Sequence, residues 1–307
     1  MDIELTILSI LQLLNLTAIT TIICLESNTN IIKHYIIIIK IFTLKFMPSN
    51  QPAKFLTDNP NRNLCAICGE EKKLSYEHLP PKAAGNNNYV KIYGIESFTP
   101  YGGYFHGRHV REKHNGMGGY TLCKDCNNLM GSWYCNSYIE LSNNLIKILE
   151  ENTGKKDVEF IVEIKALNFL KQVVCMLLSA DQATGILRNR INAKEFLLNK
   201  HSKEMPENIF INAIVTPIKY FLIKGFSLIY NNITGHNQNI EFAHRPFYLR
   251  CSFEEKYAIK AEMNIAEFKQ FDYNEKITLI FNLPLKERKL TDFEGINFED
   301  IVKALII

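Results

Sequence analysis

Three short stretches decide how this chain folds: CAICG at residues 65–69, YEHLPP at residues 76–81 and CKDCNN at residues 123–128. The first and third are CxxC pairs, which together supply Cys65, Cys68, Cys123 and Cys126. Four thiolates spaced as two such pairs are the ligand set of a tetrahedral structural zinc site. The long loop between the pairs is no obstacle, because its closure penalty grows by only about 0.6 kcal/mol per doubling of length. We therefore predict a four-cysteine zinc site.

A redox-active CxxC is the alternative for either pair. Such a pair normally begins a helix after a strand in a thioredoxin-like pattern, and the second CxxC would then have no role. The eight cysteines are also too sparse in 307 residues for a secreted disulfide scaffold. This usage favours a reducing, cytoplasmic location, with the other cysteines buried as small apolar side chains. Those are Cys24, Cys135, Cys175 and Cys251.

Between and after the two pairs lie the side chains that carry chemistry. Glu77 and His78 end a predicted strand at residues 73–78, which Pro80 and Pro81 terminate, and Asn127 and Asn128 begin the predicted helix. Carboxylate and carboxamide oxygens suit Mg²⁺ or Mn²⁺. An imidazole titrates near neutral pH and can take a proton from water. The set therefore matches the needs of metal-assisted phosphodiester hydrolysis.

Together these stretches resemble the HNH endonuclease family, the zinc-ribbon-stapled ββα-metal or His-Me finger nucleases. The resemblance covers residues 65–131 of the chain. It implies that Glu77 binds one catalytic Mg²⁺ or Mn²⁺ together with Asn128 or Asn127, and that His78 is the general base. It also implies hydrolysis of DNA to 5′-phosphate and 3′-hydroxyl ends. Restriction, mobile-element or phage-defence biology follows only by association with such modules.

The chain departs from the family pattern at two places. Glu77 stands where Asp is usual, and the middle Asn that orients the base is missing ahead of the second CxxC pair. Asn115, beside His114, is the nearest candidate for that role. A simpler interpretation also stays open, in which Glu77–His78 is a polar strand end and the asparagines cap a helix. The corresponding alternative function is a non-catalytic zinc-ribbon module that binds nucleic acid or a protein partner.

Residues 85–120 form an insertion rich in Gly, Asn and Tyr, for which loops and short hairpins are predicted. Its basic residues Arg108, Arg111 and Lys113 are candidate phosphate contacts, and nearby aromatic residues could stack on unpaired bases. The formal net charge of +3 does not decide the matter, since a local basic surface suffices. DNA is the expected partner, with RNA left open.

The first 46 residues differ from the rest of the chain. Residues 5–24 carry no charge and are long enough to cross a bilayer, but seven polar Ser, Thr, Gln and Asn side chains dilute them. We favour a start at Met47, with 1–46 a mis-assigned start, over a membrane anchor. A membrane-tethered effector is expected only if residues 5–24 are truly translated.

The remaining chain is divided by composition. Residues 47–64 are predicted to be a linker, 65–151 the HNH-like module, and 158–307 a second α+β domain without a chemical motif. Within the last segment, apolar residues at helical spacing predict an amphipathic helix over 166–178, and strands are predicted near 158–164, 209–216, 220–230, 247–253 and 276–285. The predicted fold class is α+β throughout.

Overall fold

A computed structural model describes residues 21–24, 35–38, 63–88, 90–93, 109–113, 115–153, 155, 157–182, 184–215, 222–231, 235–253 and 263–284. These residues form small antiparallel sheets and helices, so the predicted α+β class is confirmed. Of the N-terminal segment, only two short strands fall within these ranges, and both interpretations of residues 1–46 stay predictions. Within the described ranges, no helix combines the length and the apolar character needed to cross a bilayer.

The predicted site is built on a hairpin followed by a helix. Strand β3 (Leu74–His78) pairs antiparallel with β6 (Gly118–Cys123), and helix α1 (Lys124–Trp133) follows without a connecting loop. The register places His78 opposite Gly118 at one end and Leu74 opposite Cys123 at the other. The two CxxC pairs therefore meet at one end of the hairpin, and His78 lies at the opposite end.

The helix that starts at the second CxxC pair is interrupted at Tyr134. Helix α2 (Cys135–Glu151) begins directly after this residue. Tyr134 leaves helical geometry, its amide still donates to Met130 O, and its buried hydroxyl donates to Leu197 O at 2.8 Å. The break follows from this anchor, because the aromatic ring is fixed in the core between two helices.

Part of the insertion forms the predicted hairpin, in which β4 (Val90–Tyr93) pairs with β5 (His109–Lys113). Arg111 and Lys113 lie on β5, while Arg108 and His114 lie outside the described residues. Contact of these basic residues with nucleic acid stays a prediction.

A third two-stranded pair and a seven-stranded sheet complete the β structure of the described residues. Strand β7 (Asp157–Lys165) pairs with β13 (Lys276–Pro284). The strands of the larger sheet are β1 (Thr21–Cys24), β2 (Tyr35–Ile38), β8 (Phe210–Val215), β9 (Leu222–Asn231), β10 (Gly235–His244), β11 (Phe247–Ser252) and β12 (Met263–Asn264). They lie in the order β1-β2-β9-β10-β11-β8-β12.

Helix α3 (Ala166–Ala180) connects these parts. Every one of its residues is buried, so the prediction of an amphipathic helix was wrong about its exposed face. The helix packs against α1, which begins within the second CxxC pair, and against α2, which follows α1. It also packs against β9, β10 and the 3₁₀ helix Ile265–Gln270. Two short helices, α4 (Ile186–Arg190) and α5 (Ala193–Leu198), follow it. Buried apolar side chains of both predicted domains thus form one continuous cluster.

Two buried serines of α2 provide a test of this packing. The Ser142 hydroxyl is fully buried and has no hydrogen-bond partner among the described residues, whereas the Ser137 hydroxyl donates to Tyr134 O at 2.7 Å. An unpaired buried hydroxyl costs about 1–3 kcal/mol. We expect Ser142→Ala to raise the free energy of unfolding by about 1 kcal/mol and Ser137→Ala to lower it. Urea titration measures the free energy of unfolding of both variants. Equal changes would contradict the assignment of Ser142 as unpaired and Ser137 as hydrogen-bonded.

Candidate metal centre and active site

The four predicted zinc ligands lie together. The Sγ atoms of Cys65, Cys68, Cys123 and Cys126 are all within 4.8 Å of one another, and none of these cysteines forms a disulfide. Tetrahedral coordination with bonds of about 2.3 Å places sulfurs about 3.8 Å apart, so a small adjustment of the side chains closes this shell around zinc. The prediction that these residues could hold a metal such as zinc is confirmed. Cys175 and Cys251 are buried elsewhere, and Cys135 is half-buried.

The cysteine cluster already favours a thiolate. The pKa of Cys65 is lowered to about 5, chiefly because the Cys126 thiol donates a hydrogen bond to its sulfur, and because backbone amides of neighbouring residues also face it. Burial raises the pKa of Cys68 to about 11. Since every ligand must be deprotonated, zinc binding at this cluster releases protons from the thiols that still carry them.

The first CxxC pair is held by the backbone and by a distant arginine. Gly69 has a φ of +70°, which turns the chain so that its amide donates to Cys65 O at 2.9 Å. Arg188 of α4 donates to the same carbonyl at 3.3 Å. The amide of Ala66 donates to Thr121 O of β6 at 2.9 Å. The metal cluster is therefore supported from outside the hairpin as well as from within it.

Glu77 turns its carboxyl group into the protein. Its Oε1 accepts hydrogen bonds from the hydroxyl groups of Thr121 on β6 and Ser179 on α3, the latter at 2.5 Å. Burial raises the pKa of Glu77 to about 8, and the bond from Ser179 opposes this rise in part. The second oxygen, Oε2, makes no hydrogen bond to the described residues. One carboxyl oxygen thus holds the side chain against β6 and α3.

His78 is oriented by the loop that precedes β6. Its Nε2 lies 3.1 Å from the backbone carbonyl oxygen of Asn115. A carbonyl only accepts, so this bond requires the proton on Nε2 and leaves the lone pair of the neutral ring on Nδ1. Tyr76 packs edge-on against the imidazole, with ring centroids 5.3 Å apart. Asn115, which sequence reasoning offered as the nearest substitute for the missing Asn, contacts His78 through its main chain.

A buried asparagine that sequence reasoning missed holds this loop in place. Asn86 donates from Nδ2 to Pro80 O at 2.6 Å and to Met117 O at 2.7 Å, and its Oδ1 accepts from the Met117 amide. The residue is almost completely buried. Asn86 therefore links Pro80, just after the end of β3, to Met117, just before the start of β6. These two segments carry His78 and Asn115. Nothing distinguishes it in the sequence from Asn87 and Asn88 that follow it.

Gly116 makes this loop possible, and its substitution tests the loop. Its φ is +77°, and an added Cβ would lie 2.2 Å from the backbone oxygen of Asn86. We expect Gly116→Ala to lower the free energy of unfolding by about 2 kcal/mol or more, because left-handed strain and the clash add. Gly131→Ala is the matched control, since a Cβ there meets nothing within 4 Å. That helical substitution should stabilise by about 1 kcal/mol. Chemical unfolding of the zinc-loaded protein measures the free energy of unfolding of both variants. Equal changes would contradict the close contact between Gly116 and Asn86.

The two asparagines at the start of α1 have different surroundings. Asn127 donates from Nδ2 to Ser75 Oγ at 3.1 Å and to Tyr76 O at 3.3 Å, so it ties the helix to β3. Asn128 is exposed and makes no hydrogen bond within the described part of the chain. The structure thus places Asn127 against the strand of Glu77 and His78, and leaves the carboxamide of Asn128 accessible.

Comparison with known proteins identifies no relative of this chain. No family model, curated protein or solved structure matches this chain. The site has three chemical features: a four-cysteine cluster, an oriented imidazole at the far end of the same hairpin, and a carboxyl group on its inward face.

Residues beyond the hairpin complete the site and carry no recognisable sequence signal. Gln182, which follows the end of α3, donates to the backbone oxygens of Leu64, Tyr120 and Thr121 at 3.3–3.5 Å. Ser179 and Arg188 approach from the same side. Their partners lie far away in the chain, and most are backbone carbonyls, so no local pattern could have indicated them.

Proposed function

We propose that this protein is a metal-dependent endonuclease of the HNH type, which hydrolyses phosphodiester bonds of DNA with His78 as the general base. The observation that carries the proposal is the bond between His78 Nε2 and Asn115 O, which leaves the lone pair on Nδ1 at one end of a hairpin whose other end carries the four-cysteine cluster. This bond fixes both the tautomer and the orientation of the ring, so Nδ1 is available as a proton acceptor.

The chemistry assigned to the chain's own residues is a proton transfer. Nδ1 of His78 takes the proton of a water molecule as the water oxygen attacks phosphorus. The bond from phosphorus to the 3′ oxygen breaks, leaving a 5′-phosphate and a 3′-hydroxyl. Asn115 O stabilises the imidazolium that forms, through the proton on Nε2. A Mg²⁺ or Mn²⁺ ion, held by Glu77 with Asn128 or Asn127, would supply neutralisation of the charge on the phosphorane and the leaving oxygen.

The surroundings of His78 suit a nucleic-acid substrate. Tyr76 and Tyr120 are paired across the hairpin, are 37% and 49% exposed, and their ring centroids are 5.4 Å apart. Exposed aromatic rings beside a phosphate-cleaving group can stack on bases of an opened strand. Beside the helix, a Cβ on Gly131 would meet nothing within 4 Å, so the backbone of α1 is approachable there.

Cleavage of supercoiled plasmid by the full-length, zinc-loaded chain tests the proposal. We expect nicking or linearisation with Mg²⁺ or Mn²⁺, its loss in EDTA, and its return when Mg²⁺ is added back to protein that has kept its zinc. The same protein should cut an RNA hairpin more slowly if DNA is the substrate. Absence of cleavage with every divalent metal, from folded protein of verified zinc content, would overturn the nuclease.

One observation favours the second candidate, a non-catalytic zinc-ribbon module. Glu77 and Asn127 both have structural partners, in Ser179 and in β3, that would explain them without chemistry. Such a module would bind labelled DNA, RNA or a protein partner without cutting it. Fluorescence anisotropy with duplex and single-stranded probes, run beside the plasmid assay, separates the two candidates.

A further inference from the structure

Helix α3 lies outside the hairpin and helix that carry the candidate site, yet its last turn reaches Glu77. Ser179 is fully buried, 102 residues away from Glu77 along the chain, and its hydroxyl donates to Glu77 Oε1 at 2.5 Å. Buried hydroxyl groups usually have a hydrogen-bond partner, and for Ser179 the acceptor is Glu77.

Thr121 closes the contact from the other side. Its hydroxyl lies against Glu77 Oε1 and 3.0 Å from Ser179 Oγ, and its side chain is almost completely buried. Two hydroxyl groups from different elements therefore converge on one oxygen of the carboxyl group. Such a pair restricts rotation about the last bond of the glutamate side chain, which is otherwise broad. The orientation of Oε2 is determined by the position of Oε1.

The end of α3 is itself fixed to the hairpin. Gln182 bonds to backbone oxygens of Tyr120 and Thr121 on β6 and to that of Leu64 ahead of the first CxxC pair. Asp181 accepts from the amide of Leu187 at 2.8 Å, which folds α4 back against the helix end. Ser179 therefore cannot move away from Glu77 without breaking the contacts of Gln182 to β6 and to Leu64.

We propose that Ser179 is a positioning residue for the metal site: it holds Oε1 of Glu77 so that Oε2 is presented to the divalent ion. The inference rests on the proposed function, and it makes the last turn of α3 part of the nuclease site. Residues 65–151 then contain the reacting groups but lack the hydroxyl that orients one of them.

The test compares Ser179→Ala with Ser142→Ala in the full-length, zinc-loaded chain. Both variants remove one fully buried helical hydroxyl, but only Ser179 contacts Glu77. Mn²⁺ binding is followed by electron paramagnetic resonance, and plasmid cleavage is measured across a Mn²⁺ titration. We expect the apparent dissociation constant for Mn²⁺ to rise about tenfold in Ser179→Ala, as for other residues that orient a ligand. Cleavage should recover at saturating Mn²⁺, and Ser142→Ala should match the wild type.

A double-mutant comparison separates positioning from general stability. In a Glu77→Gln background, the added Ser179→Ala substitution should leave Mn²⁺ binding unchanged, because its effect acts through the carboxylate. Wild-type Mn²⁺ affinity in Ser179→Ala, or an equal loss in Ser142→Ala, would overturn the positioning role while leaving the nuclease intact. A wild-type protein that neither cuts DNA nor binds Mn²⁺ would overturn the proposed function, and the positioning role with it.

Discussion

Replacing His78 with alanine should lower the rate of the proposed DNA cleavage by about 10²- to 10⁴-fold, the usual contribution of a positioned general base. The reason lies in the bond from Nε2 to Asn115 O, which leaves Nδ1 as the proton acceptor. The half-buried ring contributes little to the core, so zinc content and the unfolding midpoint should stay close to those of the wild type. Single-turnover cleavage of supercoiled plasmid at saturating Mn²⁺ measures the effect.

His201→Ala is the matched control for this substitution. His201 is exposed and packs edge-on against Tyr273, with ring centroids 5.7 Å apart. Its loss should leave cleavage unchanged. Imidazole added to the His78→Ala protein should restore part of the rate, since it can occupy the vacated position. Full activity in His78→Ala would exclude this residue as the base.

Substitution of Cys126 by serine should remove the bound zinc and loosen the whole hairpin. Cys126 belongs to the cluster of four sulfurs and lies in the first turn of α1, so its loss frees both the second CxxC pair and the helix start. Structural zinc sites in small domains contribute about 10 kcal/mol or more of binding free energy. We expect the zinc content to fall from one per chain to near zero, with faster amide exchange in β3, β6 and the first turn of α1.

Cys135→Ser is the corresponding control. Cys135 is half-buried, lies at the start of α2, and is not one of the clustered sulfurs. This variant should keep its zinc and its exchange protection. Metal analysis of purified protein and hydrogen exchange followed by mass spectrometry give both readouts. Retention of zinc by Cys126→Ser, or its loss from Cys135→Ser, would contradict the assignment of the ligands.

Much of the hairpin could be predicted because its determinants are local. The spacing of the cysteines indicated the metal cluster, and Pro80 and Pro81 indicated where β3 ends. Strand β10 shows where local reasoning fails. Residues 231–239 have the composition of a turn, yet Gly235 to Asn239 pair with Asn231 to Ser227 of β9. Pairing with a neighbouring strand overrides weak intrinsic preference.

Helix α3 shows a related failure. Its apolar spacing correctly predicted a helix, and its polar residues wrongly suggested an exposed face. Lys171 is buried, with its ammonium donating to Asn199 O at 2.7 Å and to Lys200 O at 3.2 Å. These carbonyls follow α5, and a contact of this kind leaves no trace in local periodicity. Asn86 and Ser179 escaped notice for the same reason, since their partners are set by the tertiary fold.

The enclosure of α3 has a consequence for how the protein is made. The four cysteines are synthesised before Ser179 and Gln182, by an interval on the order of seconds. A nascent chain can therefore capture its zinc ion while the side of β6 that later receives α3 is still uncovered. Apolar surface on the hairpin is exposed during that interval. Early metal capture would limit its aggregation, so zinc supply during synthesis should govern the yield of folded protein.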